Sequence, residues 1–404
     1  MNEKLILIPI FLIGLCHGQT SEIIQNPQVD KDVIDDVFNQ NSVKSSPFAN
    51  VDAVQPAVLT GNSNQPCGTR PDMVCVRQYL CHNGTMDPHG GGIIEIRMSS
   101  GCNTIYEICC HLNETSDEPI LNPLPRTVGC GYRNKNGVGI KISEPTDNEA
   151  EFGEFPWMVR ISEKIIKKGK VVSPPKCGGS LIAPTVVLTG AHCVKSLQAL
   201  NYLVRAGEWE YNSDGEPFPH QDRQVVEIII HENFDADYLE NNIALLFLET
   251  PFDDAPHIKT VCLPPVNANF DMSRCFASGW GMKQFGSRRY SNIMKKLELP
   301  VVPNAKCQND LRQTRLEQSY ELHSSLMCAG GEFGKDTCTG DGGSPLVCPM
   351  ANNPDRYYQV GIVSWGIGCG NKNVPGVYAS VPRLRSWIDK QLADKDIDTK
   401  FFTP

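Results

Sequence analysis

Gly340-Asp341-Gly342-Gly343-Ser344-Pro345-Leu346 is the segment on which the reading of this chain turns. Gly342, at its centre, has no side chain. Outward from it lie Leu188-Thr189-Gly190-Ala191-His192-Cys193, Asn242-Ile243-Ala244-Leu245-Leu246, Ala277-Ser278-Gly279-Trp280-Gly281, Ser364-Trp365-Gly366 and Pro375-Gly376-Val377-Tyr378. Alternating apolar stretches at 157–161, 180–189, 225–230, 243–248 and 359–365 are separated by Gly, Pro and Asn turns. That pattern argues for an all-β body of antiparallel strands. At 383–392, Leu384, Trp387, Ile388 and Leu392 share one helical face, which predicts a closing helix packed on the strands.

In this order the motifs resemble the trypsin/chymotrypsin family over about 130–393. The resemblance implies a double β-barrel with a C-terminal helix. It also implies the disulfides Cys130–Cys262, Cys177–Cys193, Cys275–Cys348, Cys307–Cys328 and Cys338–Cys369. The family's nucleophile loop reads Gly-Asp-Ser-Gly-Gly-Pro-Leu, so Gly342 stands where the serine belongs. Asn242 stands where the family has the triad aspartate, and His192 is kept.

Acyl transfer on this fold needs a hydroxyl nucleophile, a histidine base, and a carboxylate that fixes the histidine tautomer. An amide at Asn242 favours the wrong tautomer and cannot balance an imidazolium. In working triads that change alone lowers turnover about 10⁴-fold. Ser344 is no substitute: two residues displace the backbone by up to about 7 Å, whereas a base reaches roughly 3 Å. Pro345 restricts Ser344 further. His192 is therefore read as a structural residue whose bonds Asn242 satisfies at a buried seam.

Activation of the family follows a cut after a basic residue ahead of Ile-Val-Gly-Gly. Here Gly139-Ile140-Lys141-Ile142-Ser143 offers no basic residue before Ile140. Asp341 is then expected to lack its amine partner, and the Gly340 and Gly342 amides to lack the ion pair that organises an oxyanion hole. Asp336 falls at the floor of the specificity pocket of trypsin-like members, flanked by Gly366 and Gly376. It is read either as a receptor for an Arg or Lys side chain or as a vestigial, filled slot. Glu208 and Asp222 are a candidate calcium pair, set against a solvated acidic loop.

The chain has 404 residues, a net charge of −9 and no long basic run, which excludes a nucleic-acid partner. Lys4, the apolar residues 5–15 and Cys16-His17-Gly18 read as a signal peptide, 1–18, too short in its apolar core for a membrane span. No other stretch is apolar enough to cross a bilayer. Of 17 cysteines, 16 remain without Cys16, an even number for eight disulfides in an oxidising compartment. Residues 19–66 are polar and read as a disordered extension. Within it, 30–39 places Val33, Ile34, Val37 and Phe38 on one helical face, a docking helix or a transient turn.

Six cysteines at 67–110 cannot surround much core, so disulfides must hold that piece, and spacing alone leaves 15 pairings open. The adjacent Cys109-Cys110 resembles the arthropod clip domain, which implies Cys67–Cys109, Cys75–Cys102 and Cys81–Cys110. Asn83 and Asn113 open glycosylation sequons. A linker, 111–129, carries Pro119, Pro123 and Pro125. Ile93-Ile94-Glu95-Ile96-Arg97-Met98, with glycines before it and serines after, is a candidate cleavage segment at Arg97–Met98. The alternative is an ordinary surface arginine.

A clip domain joined to a trypsin-like body without a nucleophile resembles the arthropod clip-domain serine protease homologues of the prophenoloxidase-activating, masquerade-like kind. The resemblance implies a haemolymph protein of innate immunity: a non-catalytic cofactor cut by an upstream clip-domain protease. It would assemble with copies of itself and act on prophenoloxidase or phenoloxidase in melanin formation, needing no cofactor of its own. A decoy that lowers the cascade and an adhesion or pathogen-recognition protein are the rival readings.

Overall fold

The computed structural model describes residues 65–404 apart from 69, 78–79, 83–91, 95–100, 103, 117–127, 143–144, 146–147, 168–169, 195–197, 212–214, 283–289 and 339. The candidate helix at 30–39, Asn83 and the Arg97–Met98 bond lie outside the described residues.

The clip piece is a hairpin-like pair, β1 (Met73–Arg77) against β3 (Glu107–His111), in register from Met73↔His111 to Arg77↔Glu107. Its buried residues are few: Val76, Cys81 and Cys110 form a small cluster. Three disulfides supply what that core cannot. They join Cys67–Cys109, Cys75–Cys102 and Cys81–Cys110. Between these strands in sequence, β2 (Gly92–Ile94) runs parallel to β4 (Ile140–Ile142), with Ile93 opposite Lys141.

The body is two closed six-stranded barrels. The first comprises β5 (Met158–Glu163), β8 (Pro175–Ala183), β9 (Val186–Thr189), β10 (Tyr202–Ala206), β11 (Gln221–Ile230) and β12 (Ala244–Leu248). They close in the order β10-β11-β12-β9-β8-β5, with the short hairpin β6 (Ile165–Lys167) and β7 (Lys170–Val172) outside. The second comprises β13 (Arg274–Gly279), β14 (Lys295–Val302), β15 (Leu326–Gly330), β16 (Pro345–Met350), β17 (Asn353–Trp365) and β18 (Pro375–Ser380). Its order is β13-β14-β15-β18-β17-β16. The stretch 180–189, read as one strand, is two: the chain turns at Pro184-Thr185 between β8 and β9.

Burial follows the strand period. In β10, Tyr202, Val204 and Ala206 face the core and alternate with half-buried Leu203 and Arg205. In β12 all five residues are buried, which its continuous apolar run requires. Helix α1 (Asn304–Arg312) buries Cys307 and Leu311. Helix α2 (Val381–Ala393) buries Leu384, Trp387, Ile388 and Leu392. Within residues 394–404, set apart in the sequence as a tail and mostly exposed, Phe402 is buried and its carbonyl accepts the Leu263 amide at 2.8 Å.

The clip piece rests on the first barrel through Tyr106. Its ring meets Trp209 edge-on at 6.2 Å, and its hydroxyl donates to Glu210 Oε2 at 2.8 Å. Arg77 donates to the carbonyl of Gly215. A Cβ on Gly215 would come within 2.4 Å of the Tyr106 ring, so only glycine permits this approach.

Candidate functional site

The site lies where the barrels meet. His192 sits on a single 3-10 turn, Ala191–Cys193, pinned by Cys177–Cys193. Asn242 precedes β12, Ser364 lies near the end of β17, and Gly342 lies in the turn entering β16. Backbone bonds fix the loop: Gly178 N to Gly342 O and Gly343 N to Val363 O, both 2.9 Å. The remaining body disulfides, Cys130–Cys262, Cys275–Cys348, Cys307–Cys328 and Cys338–Cys369, brace the elements that carry it.

Asn242 is fully buried, and its amide orientation can be deduced. Oδ1 accepts the His192 backbone N–H at 3.0 Å. That donor never changes, so Nδ2 could not take its place without setting donor against donor. Nδ2 donates to Ser364 Oγ at 2.7 Å and lies 2.8 Å from His192 Nδ1; Oδ1 is farther from that nitrogen, at 3.1 Å. The shorter contact, from Nδ2, argues for Nδ1 as the acceptor and for the ring proton on Nε2. A histidine in that state offers a donor, not a base, on the side of Gly342. A Cβ on Gly342 would lie 2.8 Å from Nε2, which places this glycine at the nucleophile position.

Ser344 is on the wrong side. It is 1% exposed, and its Oγ points under Gly178, where a Cβ would come within 2.0 Å of it. The backbone amides of Gly340 and Gly342 donate to no acceptor among the described residues.

Asp341 accepts only backbone donors among the described residues, Gly281 N at 2.8 Å and Cys338 N at 3.1 Å. Burial lifts its carboxyl to about 6. Asp341 and Asp336 both line a cavity of about 130 Å³, with Ser278, Lys295 and Lys296 in its wall. Asp336 Oδ2 accepts from Gly370 N at 3.2 Å, while its buried Oδ1 has no partner. Burial, with a smaller push from Asp341, raises Asp336 to about 7. Gly376 is brought against it, its would-be Cβ 2.9 Å from Oδ1; Gly366 instead faces Gly368 O, at 3.5 Å.

Glu208 and Asp222 are joined through a cation of the protein's own. Asp222 takes Arg205 Nε at 2.7 Å and Nη2 at 2.9 Å, and Glu208 takes Arg205 Nη1 at 3.0 Å. As a pair they hold a guanidinium where an ion would sit, so they do not fit calcium together. Asn113 is exposed on the turn after β3. Sequence reading missed the hydroxyl of Ser364, quoted only as part of a motif, and the buried carboxylate of Glu154. The latter pairs with Arg133 and with Lys296 Nζ at 2.8 Å.

Residues 146–388 match the trypsin family, and residues 62–111 match the family described as serine protease clip domain PPAF-2. The phenoloxidase-activating factor 2 of Galleria mellonella is 49% identical over 298 residues, 71% of this chain and 98% of that one. Two Anopheles gambiae proteins, the inactive CLIP domain-containing serine proteases A28 and A8, are each 37% identical. The matches span 82% and 79% of this chain, and 92% and 88% of theirs.

Proposed function

The chain belongs to the clip-domain branch of the trypsin family, and we propose that it is a secreted, non-catalytic cofactor of prophenoloxidase activation in the melanization cascade. One observation carries the reading. Asn242 directs the His192 proton to Nε2, and the residue facing that proton is Gly342. The barrels and disulfides of a protease are kept while its nucleophile and triad carboxylate are both absent, which suits a binding role. The relatives' names agree: one is a phenoloxidase-activating factor and two are called inactive. Secretion fits the eight disulfides. Among the described residues no helix is long and apolar enough to cross a membrane.

The switch is a cut at Arg97–Met98 by an upstream clip-domain protease. Ile94, the end of β2, is three residues before Arg97, and β2 pairs with β4. With Cys81 and Cys102 both bridged, the cut halves stay attached while β2 gains a free end. Release of β2 uncovers clip and body surfaces for prophenoloxidase or phenoloxidase, and for other copies of the chain.

Reconstitution tests the cofactor role. Prophenoloxidase and its activating protease are mixed with wild type or Arg97→Ala, and phenoloxidase activity is followed. Wild type raises activity and Arg97→Ala does not. A lowered output with wild type would favour the decoy reading.

A further inference from the structure

The hairpin of β6 and β7 belongs to neither barrel. Ile165 stands opposite Val172, and Lys167 opposite Lys170. Its apolar residues are not packed away: Ile166 is 80% exposed, and Ile165 and Val172 are exposed with it. At the base of the hairpin the Lys164 amide donates to Asn201 O at 2.7 Å, which brings up Leu200, itself 64% exposed. Single exposed apolar side chains need no explanation, but a group of them marks a surface that meets something. The same hairpin is basic. Lys164, Lys167, Lys168 and Lys170 are interleaved with its apolar residues, and no Asp or Glu occurs between Glu163 and Glu208. The chain as a whole carries −9, so the sign of the charge is reversed here. Glu163, the last acid before that gap, pairs with Lys176, and Lys164 donates to a neutral partner, Gln224.

We infer that the β6–β7 hairpin docks the protein on an anionic phospholipid bilayer, entering the interface with Ile165, Ile166 and Val172 while its lysines meet the headgroups. Interfacial binding needs apolar area to bury at the acyl boundary and cations for the lipid phosphates, and this hairpin carries both. Lysine stems lie along apolar surface and keep their ammonium groups at headgroup level. A soluble polyanion would engage the lysines and leave the isoleucines in water. An acidic peptide would need a groove, whereas Ile166 stands clear of its neighbours. A bilayer uses the apolar residues and the charge together.

The attachment is peripheral, through the side chains of one hairpin. It goes beyond the cofactor role and does not rest on it. Vesicle binding is measured without cascade enzymes, so either reading can fail alone.

The test is co-sedimentation of the full mature chain with phosphatidylcholine vesicles, alone or with about one-third phosphatidylglycerol. Each lysine near an anionic surface strengthens binding roughly fivefold, so the anionic vesicles bind on the order of 100-fold more tightly, and less so in high salt. Lys167→Glu together with Lys170→Glu weakens that binding at least about 25-fold. Ile166→Ser, which leaves the charge alone, weakens it about tenfold. Val266→Ser, at an exposed apolar position on another loop, leaves it unchanged. Ile166 and Val266 are both exposed, so neither change disturbs the core. Equal binding to both kinds of vesicle, or binding to neither, overturns the inference. So does an Ile166→Ser variant that binds as wild type does, since the isoleucines then do not enter the bilayer. Tighter binding of poly-glutamate than of anionic vesicles also overturns it and makes the hairpin a peptide site.

Discussion

His192 Nε2 lies 2.8 Å from the point where a Cβ on Gly342 would stand, closer than such contacts occur. The ring has taken the space that the missing side chain left. Gly342→Ser alone therefore restores no protease. The new Cβ pushes the ring, at a cost of about 1 kcal/mol, and the pushed ring still carries its proton on Nε2. Arg-amide hydrolysis by this variant stays at background, with a slightly lowered Tm; turnover above background would mean the tautomer is not fixed by Asn242.

Tyr106 docks the clip piece on the body, against Trp209 and Glu210. Tyr106→Phe loses the bond to Glu210, at about 1–2 kcal/mol. Tyr106→Ala also empties the contact with Trp209 and Gly215, at about 3 kcal/mol. Urea unfolding reads both. Equal stability of the Ala variant and wild type would show that the clip does not bear on the barrel there.

Among the described residues four carboxyls are raised chiefly by burial: Asp341 to about 6, Asp336 and Glu151 to about 7, and Glu216 to about 8. An acid raised in the folded state holds protons there that the unfolded chain has lost, so stability falls as pH rises from about 4 to about 8. His257, stacked between Phe152 and Phe218, is lowered to about 4 by burial. Its contribution has the opposite slope and is lost as pH falls from about 6.5 to 4. Asp336→Asn isolates one acid: its Tm exceeds wild type at pH 8, and the gain disappears near pH 4. A loss at pH 8 would mean that a cation already balances Asp336.

Much of this architecture can be read from residue order. The α2 face at Leu384, Trp387, Ile388 and Leu392 shows the helical period, and β12 is a plain apolar run. The motif order placed His192, Asn242 and Gly342 together before any coordinates. Other features left no local trace. The β2–β4 ladder is three residues long, too short for a period to show, and joins positions far apart. Helix α1 buries only Cys307 and Leu311, so it has no apolar stripe to find. Glu154 looks like a surface charge until Arg133, 21 positions away, and Lys296, 142 away, close over it. The burial of Ser344 depends on a backbone approach by Gly178 that no spacing encodes.

The β2–β4 ladder makes the cut measurable in the isolated protein. After cleavage at Arg97, hydrogen exchange across 92–94 rises at least about tenfold, because three pairs cannot hold a strand with a free end. Unchanged protection would mean that the cut does not release β2.

The most direct measurement is the protonation of His192, by ¹⁵N NMR of histidine-labelled protein at neutral pH, with His192→Gln to assign the signals. A pyridine-like Nδ1 and a protonated Nε2 are predicted, because Asn242 Nδ2 donates to Nδ1. A proton on Nδ1, with Nε2 bare toward Gly342, would contradict the inert triad on which the non-catalytic role rests.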